Sequence, residues 1–315
     1  MRKYIIILSL GLAISGRLFG QQDAQFTLYM LNPIVYNPAL AGTALFYQIR
    51  MNNRFQWVGF KDAPITNSIS AYGPHAKKDM GFGGSIFNDI TGPTSRTGFN
   101  AVYGYNIAVQ KDIRVSFGLS VGLIQYKVDG TKIETYSQME SGTLDPSIAQ
   151  SVMSTLVPDA SAGVYAWNSQ FYGGFSGMHL LDIFSKDSKK NIKGVDVLNT
   201  HFYLVGGYLY QINREWTLEP CMIVKKVVPA AYQMEISTKA IYKNMLWAGL
   251  AFRTQDAVSI VIGYTHDKKV TFGYAFDLAV NDIRRYNPSS HEIVLGYNFD
   301  KIKKSIGRGG GKKKK

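Results

Sequence analysis

The stretch from Asp112 to Lys127 constrains the fold more than any other part of the chain. Apolar residues occupy every second position from Ile113 to Leu123. The positions between them are polar or very small, namely Arg114, Ser116, Gly118, Ser120 and Gly122. A strand presents alternate residues to opposite faces, whereas a helix would spread both sets around its circumference. The stretch therefore predicts a β-strand with one apolar face and one small, hydrophilic face.

Strand-like segments follow one another along the body of the chain. Most are nine to sixteen residues long, compared with about 5–6 residues for typical soluble strands and about 9–11 for transmembrane strands. Fourteen strands are predicted near residues 45–55, 65–73, 81–88, 97–109, 112–127, 159–167, 170–180, 200–212, 216–226, 233–242, 245–253, 257–266, 269–278 and 292–299.

The connections between the predicted strands alternate between short and long. The long ones include 128–158, 181–199 and 279–291, while 227–232 and 254–256 are short where a long one is expected. Outer-membrane barrels have an even strand number, short periplasmic turns and longer outer loops. Strand length and loop alternation together predict an all-β chain that forms a transmembrane outer-membrane β-barrel of about 14 antiparallel strands.

The two ends of the chain differ from this body. Arg2 and Lys3 precede a short apolar run, which is typical of a signal peptide, and we place the cleavage after Gly20, so that residues 1–20 are removed. Residues 21–43 contain two Asn-Pro pairs that interrupt regular structure, and we expect an N-terminal periplasmic or plug segment there. The barrel is expected over 44–300, and the lysine-rich residues 301–315 are expected to form a basic disordered tail.

The net charge of +13 is concentrated at these two ends. Three positive charges precede residue 21 and eight follow residue 300, so the body is close to neutral. A nucleic-acid-binding domain carries its positive charge on a folded face, and we therefore expect no nucleic-acid partner. The tail is interpreted either as a solvated end or as a tether to an acidic protein or to the cell wall.

Patterns typical of catalytic, cofactor or metal sites are weak in this sequence. The five histidines are scattered without the spacing of zinc ligands, and Cys221 is the single cysteine. The glycines between Gly81 and Gly84 lie in a strand pattern with no following helix, so they do not indicate a phosphate-binding loop. We predict no catalytic residue, no cofactor and no metal ligand.

Five motifs, in a fixed order, carry a family resemblance. They are QDAQFTLYMLNPIVYNPALAGT (22–43), RFQWVGFKDAPITNSISA (54–71), GFGGSIFNDITGP (81–93), PDASAGVYAWNSQFYGGFSGMHLL (158–181) and SSHEIVLGYNF (289–299). With these motifs the chain resembles the PorP/SprF family, outer-membrane components of the type IX secretion system and gliding machinery of Bacteroidota. Ala24 stands where the family often has a proline, and the lysine-ended tail departs from the family pattern.

The resemblance implies a non-enzymatic protein in the outer membrane that supports export or surface retention of large secreted proteins, such as gliding adhesins, by protein–protein recognition. The implied partners are periplasmic and lipoprotein components of the secretion system, the secreted adhesin or other cargo, and outer-membrane lipid. The candidate partner-contact residues are Phe26, Tyr29, Asn32, Pro33, Asn37, Pro38, Trp57 and Phe60. The candidate lumen-facing residues are Arg114, Ser116 and Ser120.

Other interpretations stay open at this level. Trp57 also fits an aromatic girdle at the membrane interface, which is routine in barrels, and the long connection 128–158 is a second candidate for an exposed partner surface. A passive porin or a channel for hydrophobic solutes would need an open lumen lined by residues such as Ser116. A soluble secreted β-domain would be released from cells without detergent.

Overall fold

A computed structural model describes residues 25–43, 45–76, 78–110, 112–133, 151–181, 199–227, 232–286 and 289–299. The predicted signal peptide (1–20) and basic tail (301–315) lie outside these ranges, as do 134–150 and 182–198 in the two longest connections. The described strands are β1 (Gln48–Phe55), β2 (Ile65–Pro74), β3 (Met80–Thr91), β4 (Thr94–Ala108), β5 (Arg114–Asp129), β6 (Val152–Trp167), β7 (Phe171–Met178), β8 (His201–Tyr208), β9 (Tyr210–Gln211), β10 (Trp216–Val227), β11 (Tyr232–Tyr242), β12 (Leu246–Arg253), β13 (Ala257–His266), β14 (Val270–Ala279) and β15 (Ser289–Asn298).

The strands form one closed antiparallel barrel. Neighbours along the chain pair with each other, except that β8 and β9 both pair with β10, and β15 pairs with β1 to close the ring. Strands β8 and β9 run in one register along β10, and their ladder is interrupted opposite Pro220, which has no N–H to donate. They are therefore two halves of a single strand. The barrel has fourteen strands, which confirms the fold predicted from the sequence.

The alternation along β5 has the expected consequence in three dimensions. Phe117, Leu119 and Val121 are each more than half exposed, whereas Ser116 and Ser120 on the opposite face are buried. In outer-membrane barrels an outward apolar band of this kind contacts lipid. None of the helices in the described ranges is long and apolar enough to cross a membrane.

The two ends of the barrel differ in their connections. At one end, here called the short-turn end, the connections between strands are at most five residues long. The 243–244 and 267–268 turns have positive φ at both central residues, as type I′ hairpins require. The other end, here called the long-loop end, carries the connections after β1, β5, β7 and β14. Three connections at this end are nevertheless short, including Gly92–Pro93, which adds to the two exceptions noted in the sequence.

Several strands extend further towards the long-loop end than the sequence predicted. Asp89 pairs with Arg96 in the β3–β4 ladder, so the predicted connection 89–96 is wrong. Strand β6 begins at Val152 rather than near residue 159, which shortens the predicted connection 128–158. Apolar alternation marks only the part of a strand that needs a lipid-facing side. A strand that continues beyond the apolar band keeps its hydrogen bonds but loses this signal.

Residues 25–43, here called the lumen segment, run inside the barrel. They contain three short 3-10 helices, Tyr29–Leu31, Pro33–Val35 and Pro38–Gly42. Thr27 contacts the long-loop ends of β1 and β14, and Gly42 accepts a hydrogen bond from Asn106 near the short-turn end. The segment therefore crosses most of the length of the lumen.

The hydrophobic core lies in the lumen, between the wall and this segment. Phe26, Tyr29 and Tyr36 pack with Tyr203 and Ile223 on one side. Leu28 packs with Trp247, Val261, Ala275 and Val294 on another side, and Ile34 and Ala41 pack with Tyr72 and Val102 on a third. The lumen segment thus supplies the centre around which the barrel wall packs.

Candidate functional site

The first contact between the lumen segment and the wall is a buried group of charged residues, here called the ionic cluster. Its members are Thr27, Arg54, Glu235, Arg253, Asp277 and Glu292, and all of them are at most 3% exposed. The charged members come from β1, β11, β12, β14 and β15, where alternation turns them inward near the long-loop end. Isolated charges are costly to bury, so such groups must pair with one another.

The Thr27 hydroxyl lies at the centre of the ionic cluster. It donates to Asp277, 2.8 Å from Oδ2, and accepts from Arg54 Nη1 at 3.2 Å and from Arg253 Nη2 at 2.8 Å. The Glu292 carboxylate accepts the backbone N–H groups of Thr27 and Leu28 at 2.6 and 3.2 Å. The wall therefore fixes both the side chain and the backbone of the lumen segment at this point.

Ion pairs between the wall residues complete the ionic cluster. Arg54 Nη2 lies 2.7 Å from Asp277 Oδ2, and Arg253 Nη2 lies 2.7 Å from Glu235 Oε2. Arg253 also reaches Asp256 at 2.9 Å, in the turn that follows β12. Arg54 Nη1 lies 3.3 Å from Glu292 Oε2, so every charge in the cluster is in direct contact with an opposite one.

The second contact, here called the neutral contact, uses small uncharged side chains of β4 to β7. Ser116 and Ser176 donate to the backbone carbonyls of Ala39 and Tyr36 at 2.6 and 2.5 Å. Asn106 donates to the carbonyl of Gly42 at 2.5 Å. Buried carbonyl groups need partners, and here the wall supplies them to the backbone of the 3-10 helices.

Small residues allow this close approach. A Cβ atom at Gly118 would lie 2.1 Å from the backbone nitrogen of Ala39, and one at Gly81 would lie 2.2 Å from Gly42 Cα. Both glycines face inward on the wall beside the neutral contact. The pattern of glycine and serine on the inner face of β5 therefore makes room for the lumen segment.

Two tyrosine hydroxyls of the lumen segment are buried and have hydrogen-bonding neighbours. The Tyr36 hydroxyl accepts the Phe26 N–H at 2.9 Å, and the Tyr29 hydroxyl lies 3.2 Å from the Cys221 sulfur. Both hydroxyls therefore have a polar neighbour inside the packed lumen.

The structure places the candidate partner-contact residues in two regions. Six lie in the lumen segment, where Asn32 bonds Asn52 and Ser70, and Asn37 donates to the Val164 carbonyl. Those six are Phe26, Tyr29, Asn32, Pro33, Asn37 and Pro38. The other two, Trp57 and Phe60, lie in the connection after β1 at the long-loop end, where Phe60 is 40% exposed. Their contact with a partner protein stays a prediction.

The three candidate lumen-facing residues lie on one side of β5, in different surroundings. Ser116 contacts the lumen segment, and Ser120 lines a cavity between that segment and the wall. Arg114 begins the strand and pairs with Asp79 at 3.0 Å at the short-turn end, with its side chain 37% exposed. Ser120 also stands at the centre of a Gly-x-Ser-x-Gly spacing, but in the middle of a strand rather than at the strand-to-helix turn that exposes a nucleophile.

The ionic cluster was missed as a site by sequence reasoning. Asp277 lies between apolar residues in the predicted strand 269–278, and Arg54 lies near the end of the predicted strand 45–55. A charged residue at an inward position of a predicted barrel strand is the signal that would have found them. In the part of the chain that the structure describes, no group of three or more His, Cys, Asp or Glu residues is arranged to hold a metal ion.

The comparison with known families gives a match over most of the chain. Residues 18–297 match the model described as "Type IX secretion system membrane protein PorP/SprF". The chain belongs to the PorP/SprF family. It is therefore a membrane component of the type IX secretion system, as the resemblance of its motifs predicted. No curated protein sequence matches the chain.

Solved structures that resemble this PorP/SprF barrel are outer-membrane barrels of low sequence identity. The toluene transporter TodX of P. putida is 11% identical with a TM-score of 0.47, covering 85% of this chain and 94% of TodX. A FadL homologue of Pseudomonas aeruginosa is 11% identical with a TM-score of 0.46, covering 84% and 93%. The KdgM porin is 10% identical with a TM-score of 0.39, covering 80% and 99%. At these values the likeness concerns the fold and carries no functional argument.

Proposed function

We propose that this PorP/SprF barrel supports export or surface retention of large secreted proteins, including gliding adhesins, by recognising them rather than by conducting solute. Membership of a secretion family supports the first part of the proposal. The lumen segment supports the second, because it is held across the lumen at both the ionic cluster and the neutral contact. This filled lumen is the observation that carries the proposal.

The proposed orientation places the barrel in the outer membrane after removal of residues 1–20, with its short turns in the periplasm. That arrangement is usual for bacterial barrels. Periplasmic and lipoprotein components of the secretion system would then meet the short-turn end. The cargo would meet the long-loop end, where Trp57 and Phe60 lie.

Strands β5 and β6, which extend far towards the long-loop end, support recognition at that end. Strand β6 pairs with β5 from Val152 onwards but with β7 only from Ala162, so within the described ranges residues 152–159 have no strand partner on the β7 side. Unpaired strand edges are templates for another extended chain. Pro158 lies in this edge, a position where a missing N–H is tolerated.

The experiment that tests the proposal is deletion of the gene in its own bacterium, followed by mass spectrometry of surface proteins. We expect one or more type IX substrates to disappear from the surface and to return when the wild-type gene is restored. Normal surface display of every type IX substrate in the deletion strain would refute the proposal.

A further inference from the structure

A cavity other than the one beside Ser120 lies between the lumen segment and the wall formed by β6, β7, β8 and β10. It measures about 160 Å³. Two of its wall residues, Tyr172 and Glu219, fall within the first four residues of β7 and β10, which both begin at the short-turn end. The cavity therefore occupies the half of the lumen that is nearer to the short-turn end.

Most of the surface of this cavity is apolar. The lumen segment contributes Met30 and Leu40, and the wall contributes Val205 together with the rings of Tyr165 and Tyr172. These two rings stack with their centroids 6.1 Å apart. The wall thus presents an aliphatic side chain and a pair of aromatic rings to the space in front of the lumen segment.

Four polar side chains at the cavity already have partners within the protein. The Tyr172 hydroxyl donates to Glu219 at 2.9 Å, and Glu219 also pairs with Lys239 at 3.0 Å. Asn37 and Ser176 each donate to a backbone carbonyl, at 3.0 and 2.5 Å. A buried water needs about two to four polar partners to be held in place. Because these groups are already bonded, the cavity favours an apolar occupant over water.

We propose that this cavity binds a small apolar molecule of the size of a single aromatic ring. A cavity of about 150 Å³ lined by apolar side chains stays dry and binds benzene, and the volume here is nearly the same. The rings of Tyr165 and Tyr172 offer the offset or edge contacts that an aromatic ligand prefers. The Met30 thioether offers a further favourable contact with a ring.

This binding site goes beyond the proposed function and does not depend on it. The cavity lies towards the short-turn end, whereas we place the cargo at the long-loop end. Loss of the apolar site would therefore leave the result of the gene deletion unchanged.

Crystals of the full-length wild-type protein soaked with iodobenzene test the proposal. The iodine atom gives an anomalous X-ray signal that locates the molecule independently of its partition into detergent. We expect an iodine peak inside the cavity, in contact with Met30 and Val205. Iodine peaks confined to the lipid-facing surface, or ordered water filling the cavity of soaked crystals, would overturn the inference.

A second measurement follows urea unfolding in lipid vesicles with and without fluorobenzene. Val205→Phe fills the cavity from the wall side. Leu204→Phe is the matched control, because alternation places Leu204 on the opposite, lipid-facing side of β8, where it is 49% exposed. The shift of the unheated protein on a gel verifies that each variant is a folded barrel.

A ligand that binds only the folded protein lowers the equilibrium constant for unfolding. With fluorobenzene well above its Kd, we expect this decrease to be at least about fivefold larger in wild type and Leu204→Phe than in Val205→Phe. Partition of fluorobenzene into the lipid is the same for all three proteins, so the difference reports the cavity alone. Equal decreases in all three would overturn the inference and would show that an iodine peak reflects binding at crystal concentration only.

Discussion

The lumen segment is held by the wall in two chemically different ways. At the long-loop end the ionic cluster surrounds Thr27 with two guanidinium groups and three buried carboxylates. Towards the short-turn end the neutral contact holds Tyr36, Ala39 and Gly42 with two serines and one asparagine. The two regions lie within one segment of 19 residues, 25–43, and face the same barrel interior.

The difference shows what each contact can do. Buried ion pairs add little net stability compared with apolar packing, but losing one partner is costly because the other charge stays buried. The ionic cluster therefore specifies one position for Thr27 and penalises every other. Each neutral hydrogen bond to a backbone carbonyl contributes modestly to stability, independently of the others. Loss of one bond in the neutral contact therefore weakens the attachment of the lumen segment only slightly. Loss of one charge in the ionic cluster disrupts the whole cluster.

Removing one charge from the ionic cluster should have the largest effect. Arg253→Leu leaves the buried Glu235 without its guanidinium partner, while Asp277 keeps Arg54. We expect a loss of about 3–5 kcal/mol in the free energy of unfolding. Urea unfolding in lipid vesicles, followed by tryptophan fluorescence, measures it. Arg285→Leu is the control, because that side chain is 74% exposed and should change stability by less than about 0.5 kcal/mol. A loss under about 1 kcal/mol for Arg253→Leu would contradict the cluster's role.

Thr27→Val keeps the shape of the side chain and removes the hydroxyl that joins the ionic cluster to the lumen segment. We expect the free energy of unfolding to fall by about 1.5–3 kcal/mol, the range for hydrogen bonds to charged groups. Hydrogen exchange should show faster exchange at the Thr27 and Leu28 amides, while the Ala39 amide keeps its protection. Unchanged exchange at Thr27 and Leu28 would show that Glu292 alone fixes this end.

Ser116→Ala should have the smallest effect, because it removes one neutral bond to the Ala39 carbonyl. We expect a loss of about 0.5–1.5 kcal/mol, measured by the same urea unfolding. Ser154→Ala, at an exposed position of β6, is its control and should leave the free energy of unfolding almost unchanged. A loss for Ser116→Ala as large as that for Arg253→Leu would remove the distinction between the two contacts.

The sequence predicted the lipid-facing half of the barrel better than its interior. The outward residues of β5 follow a strict period of two because lipid requires every second side chain to be apolar. The shared apolar face of Leu119 and Val121 could therefore be predicted without a structure. Strand ends such as those at Asp89 and Arg96 were not, since a polar residue there fits either a loop or a strand. The stretch 200–212 carries apolar residues on both faces, and on its inner face Tyr203 packs against Tyr36 of the lumen segment.

The interior could not be derived from local pattern because its contacts join distant parts of the chain. Thr27 meets Arg253 and Asp277 only after the barrel has closed, and no spacing in the sequence encodes that meeting. The two-sided apolar strand and the inward glycines were the local signs of a filled lumen. From the sequence alone they fitted either a wet lumen or a packed interior, and the ionic cluster shows how the lumen segment is held there.

Single-channel recording in planar lipid bilayers tests the central claim most directly. With the lumen segment bound to the wall, the purified wild-type barrel should give no steady current, while a general porin in the same bilayers conducts. A steady ohmic current of porin size through the wild-type protein would contradict the account. It would favour instead the passive channel that the sequence left open.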